Sequence, residues 1–300
     1  MSAQLNTTTG VVVAAFGRRY EVESADGNPL DCVTRAKKHH VVCGDQVALT
    51  MTGAASAVIE KRLPRRNYLE RSDAFNRKGI AANIDQVLVL AAVEPRASEE
   101  FITRVLLLAA AARVPALIAL NKIDVAGTEL ARARLAMFGA AGYEVLDMKA
   151  RPRDGSPSSA STVLAARLAG KCTVLVGQSG MGKSSLINAL VPAATAVVGE
   201  LSASLKSGKH TTTFSRLYRI DAATTIIDCP GMQEVGIHHL QHVDLEAGFR
   251  EFAPYLGTCR FANCRHLHEP GCPVRAQAAS GVINRDRLAL YQRLVGETGS

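Results

Sequence analysis

The stretch Gly177-Gln178-Ser179-Gly180-Met181-Gly182-Lys183-Ser184 follows the apolar run Thr173-Val174-Leu175-Val176 and leads into a helical pattern ending at Leu190. A strand, a glycine-rich turn and a helix in that order present unpaired backbone N–H groups where a phosphate can sit. Gly177, Gly180 and Gly182 allow the turn, and Gln178, Ser179 and Met181 complete it. Lys183 is placed to reach the β and γ phosphates, Ser184 to ligate Mg²⁺, and Ser185 continues the nucleotide-binding set.

Upstream, at the end of the strand pattern Ala116-Leu117-Ile118-Ala119-Leu120, stands Asn121-Lys122-Ile123-Asp124. Asp124 offers two acceptors to the N1 and N2 donors of guanine, Asn121 contacts the base edge and loop backbone, and Lys122 lays its stem over the ring. Adenine lacks that donor pair, so the motif points to guanine. In an ordinary GTPase the base-reading motif comes after the phosphate loop; here it comes before.

The strand Thr224-Thr225-Ile226-Ile227 delivers Asp228-Cys229-Pro230-Gly231. Asp228 can hold Mg²⁺ through water, and Gly231 can offer its N–H to the γ phosphate. Between the phosphate loop and this strand lies Gly208-Lys209-His210-Thr211-Thr212-Thr213, inside a candidate switch from about Val198. Thr212 joins Ser184 and Asp228 as the expected magnesium set. Met232 occupies the place where Ras-type enzymes carry a water-orienting glutamine, and an apolar side chain cannot orient water. His210 is the candidate catalytic residue, with a group supplied by a partner as the alternative.

From Ile84 onward strands and helices alternate, which predicts an α/β doubly wound sheet with ligand loops at the carboxyl ends of its strands. Before it, five short β-rich runs (Val11–Val13, Tyr20–Val22, Asp31–Val33, Val47–Leu49 and Ala57–Ile59) suit a small barrel of the oligonucleotide-binding kind. The loop from Arg35 to His40 and the exit segment from Lys61 to Arg66 gather positive charge that suits the neutralisation of phosphates, with solvated loops as the lesser alternative. The boundaries drawn are 1–71 for an RNA-binding barrel, 72–237 for the nucleotide domain and 238–300 for a helical metal module. Ser156 to Ser161 reads as a solvated low-complexity loop.

Lysine and arginine number 35 against 27 acidic residues, a net charge of +8 that favours an anionic partner. The longest apolar run, Val105 to Ala112, is too short for a membrane span. The polar start, Met1 to Gly10, does not read as a signal peptide, so a cytoplasmic monomer is expected. Of seven cysteines, Cys259, Cys264 and Cys272 cluster with His266. Three thiolates and an imidazole within fourteen residues suit one structural Zn²⁺ with all four positions filled, and His268 competes with His266 as ligand.

In this order, the guanine motif, phosphate loop, threonine switch, Asp-Cys-Pro-Gly and Cys-Cys-His-Cys cluster closely resemble the circularly permuted, small-subunit-dependent bacterial GTPases known as RsgA or YjeQ. The resemblance implies a permuted P-loop GTPase domain between an oligonucleotide-binding barrel and a zinc module. It also implies GTP hydrolysis to GDP stimulated by the small ribosomal subunit and its rRNA, in late maturation of that subunit. His210 matches the family's histidine before the threonines, and Cys259, Cys264, His266 and Cys272 match its zinc ligands. Where related GTPases carry Ser-Ala in the loop supporting the guanine carbonyl, this chain has Lys149-Ala150, so Ala150 would donate its backbone N–H while the loop loses a serine. The competing reading is a zinc-containing RNA-binding assembly placeholder with GTP as a conformational ligand and little turnover. Replacing Asp124 by alanine is expected to abolish the preference for GTP over ATP in competition binding; unchanged discrimination would sink the guanine assignment.

Overall fold

Five strands, β1 (Thr7–Phe16), β2 (Arg19–Ser24), β3 (Pro29–Thr34), β4 (Gln46–Gly53) and β5 (Ser56–Arg62), follow the five β-rich runs of the sequence. They pair in the circuit β1-β2-β3-β5-β4, and β1 closes the ring by pairing with β4 as well. Alternation along the strands turns Val12, Val22, Leu30, Cys32, Leu49 and Ile59 into the barrel core. These strands belong to a computed structural model that describes residues 7–35, 40–73, 75–152, 158–191, 214–229, 232 and 235–298.

Downstream, β6 (Tyr68–Ser72) and β7 (Arg77–Ala82) form a separate hairpin that spans the expected boundary at 71/72. The α/β part follows with β8 (Gln86–Ala92), α1 (Glu99–Ala111), β9 (Ala116–Asn121), α2 (Thr128–Ala140) and β10 (Glu144–Asp147). Then come α3 (Ala160–Leu168), β11 (Cys172–Val176), α4 (Lys183–Leu190), β12 (Arg216–Arg219) and β13 (Thr225–Asp228). Strands β10-β9-β8-β11-β13 are parallel neighbours, and β12 is antiparallel beside β13.

Every residue of β8 is buried because the sheet is covered on both faces. Val87, Val89 and Ala91 share a core with α1 and α2, while Leu88, Leu90 and Ala92 share one with α3 and α4. Ser98 caps α1 by accepting from the Phe101 N–H at 3.2 Å, and Glu99 and Glu100 complement the positive end of its dipole. The central sheet and the barrel are joined: β12 meets β1 through the bridge Ala14↔Arg216. Arg216 also holds Glu21 at 2.5 and 2.9 Å, and Arg219 pairs with Glu23.

The carboxyl-terminal part contains α5 (His242–Gly248), a 3-10 helix (Arg250–Tyr255), α6 (Pro273–Ser280) and α7 (Arg285–Val295). Helix α5 and the 3-10 helix are separated at Phe249, whose ψ of 71° is not helical. Phe249, Phe252 and Tyr291 pack in the same core as α1.

The strongest tie is Arg287, 1% exposed, whose Nε donates to Glu251 at 2.6 Å and whose Nη1 donates to Thr103 of α1 at 2.9 Å. Its guanidinium lies over the Phe249 ring, 4.2 Å from the centroid. Arg287→Met leaves the Glu251 carboxylate partly buried without its cation, so denaturant unfolding should show a loss of about 3–5 kcal/mol. Adding Glu251→Leu should recover most of it.

Candidate functional site

The parallel strands end on one edge, and that edge collects the loops singled out in the sequence. Asn121, the last residue of β9 and 2% exposed, donates from Nδ2 to the Met181 carbonyl at 2.9 Å. Its Oδ1 accepts the Ala150 N–H, also at 2.9 Å. One carboxamide thus fastens the Asn121–Asp124 loop to the glycine-rich loop and to the loop after β10. Lys122 adds a second clasp: its Nζ donates to Gly180 O at 2.7 Å and to Glu94 O at 2.6 Å. Lys122 holds φ at +62°, a left-handed conformation uncommon for a residue with a Cβ.

Lys149-Ala150 keeps its order by other means than a loop serine. The Lys149 N–H donates to Ser159 Oγ at 3.0 Å, while its carbonyl accepts from the Ser159 N–H and the Ser158 hydroxyl, each at 3.1 Å. The end of the low-complexity stretch is therefore a structural clasp and not a solvated loop. The Ala150 N–H, expected to be offered to a guanine carbonyl, is already engaged by Asn121.

Asn121, Lys122, Asp124, Arg151, Gly182 and Ser185 line a cleft of about 500 Å³. Gly182 is required at its wall: φ is +96°, and a Cβ there would stand 2.4 Å from Asn121 Nδ2. Directly after it α4 begins at Lys183, so the backbone N–H groups of the first turn face the glycine-rich loop. Lys183 Nζ donates to Gly177 O at 2.6 Å and Gln178 O at 3.1 Å. Gln178 in turn ties the loop to α1, accepting the Ser98 N–H at 2.9 Å. Ser179 and Ser184 are exposed, and Ile123 packs at the edge of the core beneath the base-reading loop.

Asp228 ends β13, and its Oδ1 is buried without a hydrogen-bond partner among the described residues. Burial raises its pKa to about 6, and the nearby Lys183 charge offsets this only in part. A buried oxygen without a partner among the described residues, close to the glycine-rich loop, fits a hydrated divalent ion. His210, Thr212 and Gly231 lie outside the described residues. Met232 is 4% exposed and belongs to the core, as an apolar residue should.

A somewhat larger cleft, about 570 Å³, opens between the β6–β7 hairpin, α1, Gln178 and Val235 to His238. Its Arg104 is spent on Glu100 and Glu297, at 2.7 and 2.6 Å.

At the other end, Cys259, Cys264, His266 and Cys272 bring four ligand atoms within 4.8 Å of one another. His266 Nδ1 lies 3.7, 3.6 and 3.2 Å from the sulfurs of Cys259, Cys264 and Cys272. His268, the competing ligand, is not in the group. His266 reaches this position with φ at +57°, again left-handed. Three soft donors and one imidazole, mostly buried, fit a tetrahedral metal with no open position.

One charge read as a possible phosphate contact is internal. Arg65 forms a bidentate pair with the fully buried Asp45 at 2.6 and 2.7 Å and stacks on Tyr68. Arg66 pairs with Asp85. Residues 36–39 of the other basic loop lie outside the described residues.

A family model described as RsgA GTPase matches residues 62–238. A "Small ribosomal subunit biogenesis GTPase RsgA" of Burkholderia pseudomallei (strain 1710b) is 50% identical over 290 residues, covering 96% of this chain and 91% of its own length. One of the same description from Ralstonia nicotianae is 47% identical over 294 residues, covering 96% and 92%. The crystal structure of YjeQ from Thermotoga maritima superposes with a TM-score of 0.72 at 27% identity, over 97% of this chain and 98% of that one. YloQ, described as a circularly permuted GTPase, shares the fold at a TM-score of 0.69 and 22% identity, over 99% and 97%.

Burial of the Asp228 carboxylate has a measurable cost. An acid whose folded pKa is raised lowers stability as pH climbs from its unfolded value through its folded one, because the native state binds the extra proton. Asp228→Asn should therefore stabilise the ligand-free protein at pH 8 by roughly 2–3 kcal/mol, with the gain vanishing near pH 4. Thermal unfolding across that range checks the sign.

Proposed function

The chain belongs to the RsgA GTPase family, and on that premise we propose that it hydrolyses GTP to GDP and phosphate when stimulated by the small ribosomal subunit, in late maturation of that subunit. The observation that supports this best is the Asn121 carboxamide, which holds the base-reading loop against the glycine-rich loop whatever their order in the chain. Such a joint makes sense for a ligand that presents a base to one loop and phosphates to the other.

In this reading Asp124 accepts the N1–H and N2–H of guanine, and the Lys122 stem covers the ring while its ammonium keeps the loops together. The Gly177–Gly182 backbone and the first turn of α4, with Ser185, surround the phosphates. Lys183 exchanges the Gly177 and Gln178 carbonyls for β and γ phosphate oxygens. Ser184, Thr212 and Asp228 hold Mg²⁺, which when bound neutralises charge on the phosphate oxygens. Gly231 donates to the γ phosphate, and His210 orients the attacking water. Ala150 supports the base pocket through Asn121, to which its N–H is already given.

Residues 1–71 serve as the RNA-binding barrel, 72–237 as the nucleotide domain, and 238–300 as a module folded around one structural Zn²⁺ on Cys259, Cys264, His266 and Cys272. No helix among the described residues is long and apolar enough to cross a membrane. With a net charge of +8, the partner is rRNA of the small subunit, met in the cytoplasm by a monomer.

One observation favours a second reading, an assembly placeholder with little turnover: the position of the water-orienting glutamine is filled by the buried Met232. Turnover measured alone, with small subunits and with large subunits separates the two. Strong acceleration by small subunits alone is expected, weakening with salt. Tight GTP-dependent binding to small subunits without acceleration would establish the placeholder instead.

A further inference from the structure

The imidazole of the metal cluster has a partner outside the cluster. His266 turns Nδ1 toward the three sulfurs, and its Nε2 lies 3.0 Å from Oε1 of Glu246. If Nδ1 gives its lone pair to a metal, the ring proton must sit on Nε2, where it can only be donated. Glu246 is the acceptor. It is twenty residues upstream, on α5, and no spacing rule for metal ligands includes it.

Glu246 is itself held in place. His242, one turn earlier on the same helix, brings Nδ1 to 3.6 Å from the same carboxylate oxygen, and its Nε2 lies 2.7 Å from the hydroxyl of the buried Tyr291. Helix α5 is seated on the nucleotide domain: Leu245 is fully buried, and Gly248 is packed so closely on Leu107 of α1 that a Cβ would meet its side chain at 2.4 Å. The carboxylate thus belongs to a helix fixed to α1, and the imidazole it orients belongs to the cysteine loop.

We propose that Glu246 is a positioning residue for the metal: its carboxylate fixes the His266 tautomer and ring plane, makes Nδ1 a better donor, and fastens the metal loop to α5. The proposal rests on the reading that the four-residue cluster holds Zn²⁺. A carboxylate behind a ligating histidine typically contributes 10–100-fold to metal affinity.

The test uses the full chain loaded with zinc, titrated against a chromophoric chelator, with Glu246→Ala and Glu246→Gln beside the unsubstituted protein. Zinc affinity should fall 10–100-fold in Glu246→Ala. It should fall less in Glu246→Gln, whose amide oxygen still accepts the Nε2 proton but carries no charge. Metal-free Glu246→Gln should unfold at the same temperature as the metal-free unsubstituted protein. Zinc held by the unsubstituted protein and held within twofold as tightly by both variants would overturn the proposal. So would a lower unfolding temperature of metal-free Glu246→Gln, which would make Glu246 a residue of the fold alone. An unsubstituted protein that retains no zinc overturns the metal reading and the proposal together.

Discussion

The carboxamide of Asn121 is the joint on which the site depends. One side chain, almost wholly withdrawn from water, spends its donor on the Met181 carbonyl and its acceptor on the Ala150 N–H. A buried amide left with either end unmet would cost about 1–3 kcal/mol, so the three loops are held in register by the penalty for separating them. Lys122 repeats the arrangement from the next residue, and Gly182 is small because Asn121 lies where its Cβ would be. The joint is also indifferent to chain order. Parallel strands β9 and β11 bring their carboxyl ends to the same edge whichever is made first, and side-chain hydrogen bonds then complete what connectivity leaves open.

Beyond the site the same sheet continues into the barrel. Strand β12 lies between β13, which carries Asp228, and β1, with Arg216 opposite Asp228 on one side and Ala14 on the other. Arg216 and Arg219 reach across to Glu21 and Glu23 of β2, and Phe214 packs on Phe16 with ring centroids 4.2 Å apart. Partly exposed ion pairs contribute little individually. Their position matters more: they fix the angle at which the barrel leaves the nucleotide domain, starting from the strand that follows the candidate switch.

Much of this could be read from residues close together in the chain. The barrel strands and the strands β8 to β11 announced themselves as apolar or alternating runs. The elements that escaped depend on distant partners. Strand β12 is four residues, two of them arginines whose carboxylates lie nearly two hundred positions away. The β6–β7 hairpin mixes charged residues with a few apolar ones, and Ser72 finds its partners in Gly236 and His239. Within the site, the motif residues were legible because phosphate and guanine chemistry demands fixed local spacing. Asn121's partners, the Ser158–Ser159 clasp and Glu246 were not, since each is a contact between segments with no common pattern. Arg65 misled for the opposite reason: a basic residue in a basic run is indistinguishable by composition from one paired with a fully buried aspartate.

The permuted order has a consequence for the path of the chain. In this chain the Asn121–Asp124 loop is entered and left before β11 begins, and among the described residues Asn121 and Lys122 tie it to the glycine-rich loop. After Asp228 the chain has few residues before it is gripped again. Ser72 donates its N–H to Gly236 O at 3.0 Å, and its hydroxyl joins both the N–H and Nδ1 of His239. A Cβ on Gly236 would fall 1.8 Å from Ser72 O, so the grip admits no larger residue. Three residues past His239, α5 begins and carries Glu246 to the metal cluster. In chain order, the residues after Asp228 lead to the hairpin contact at Ser72 and then to α5, and not back to the Asn121–Asp124 loop.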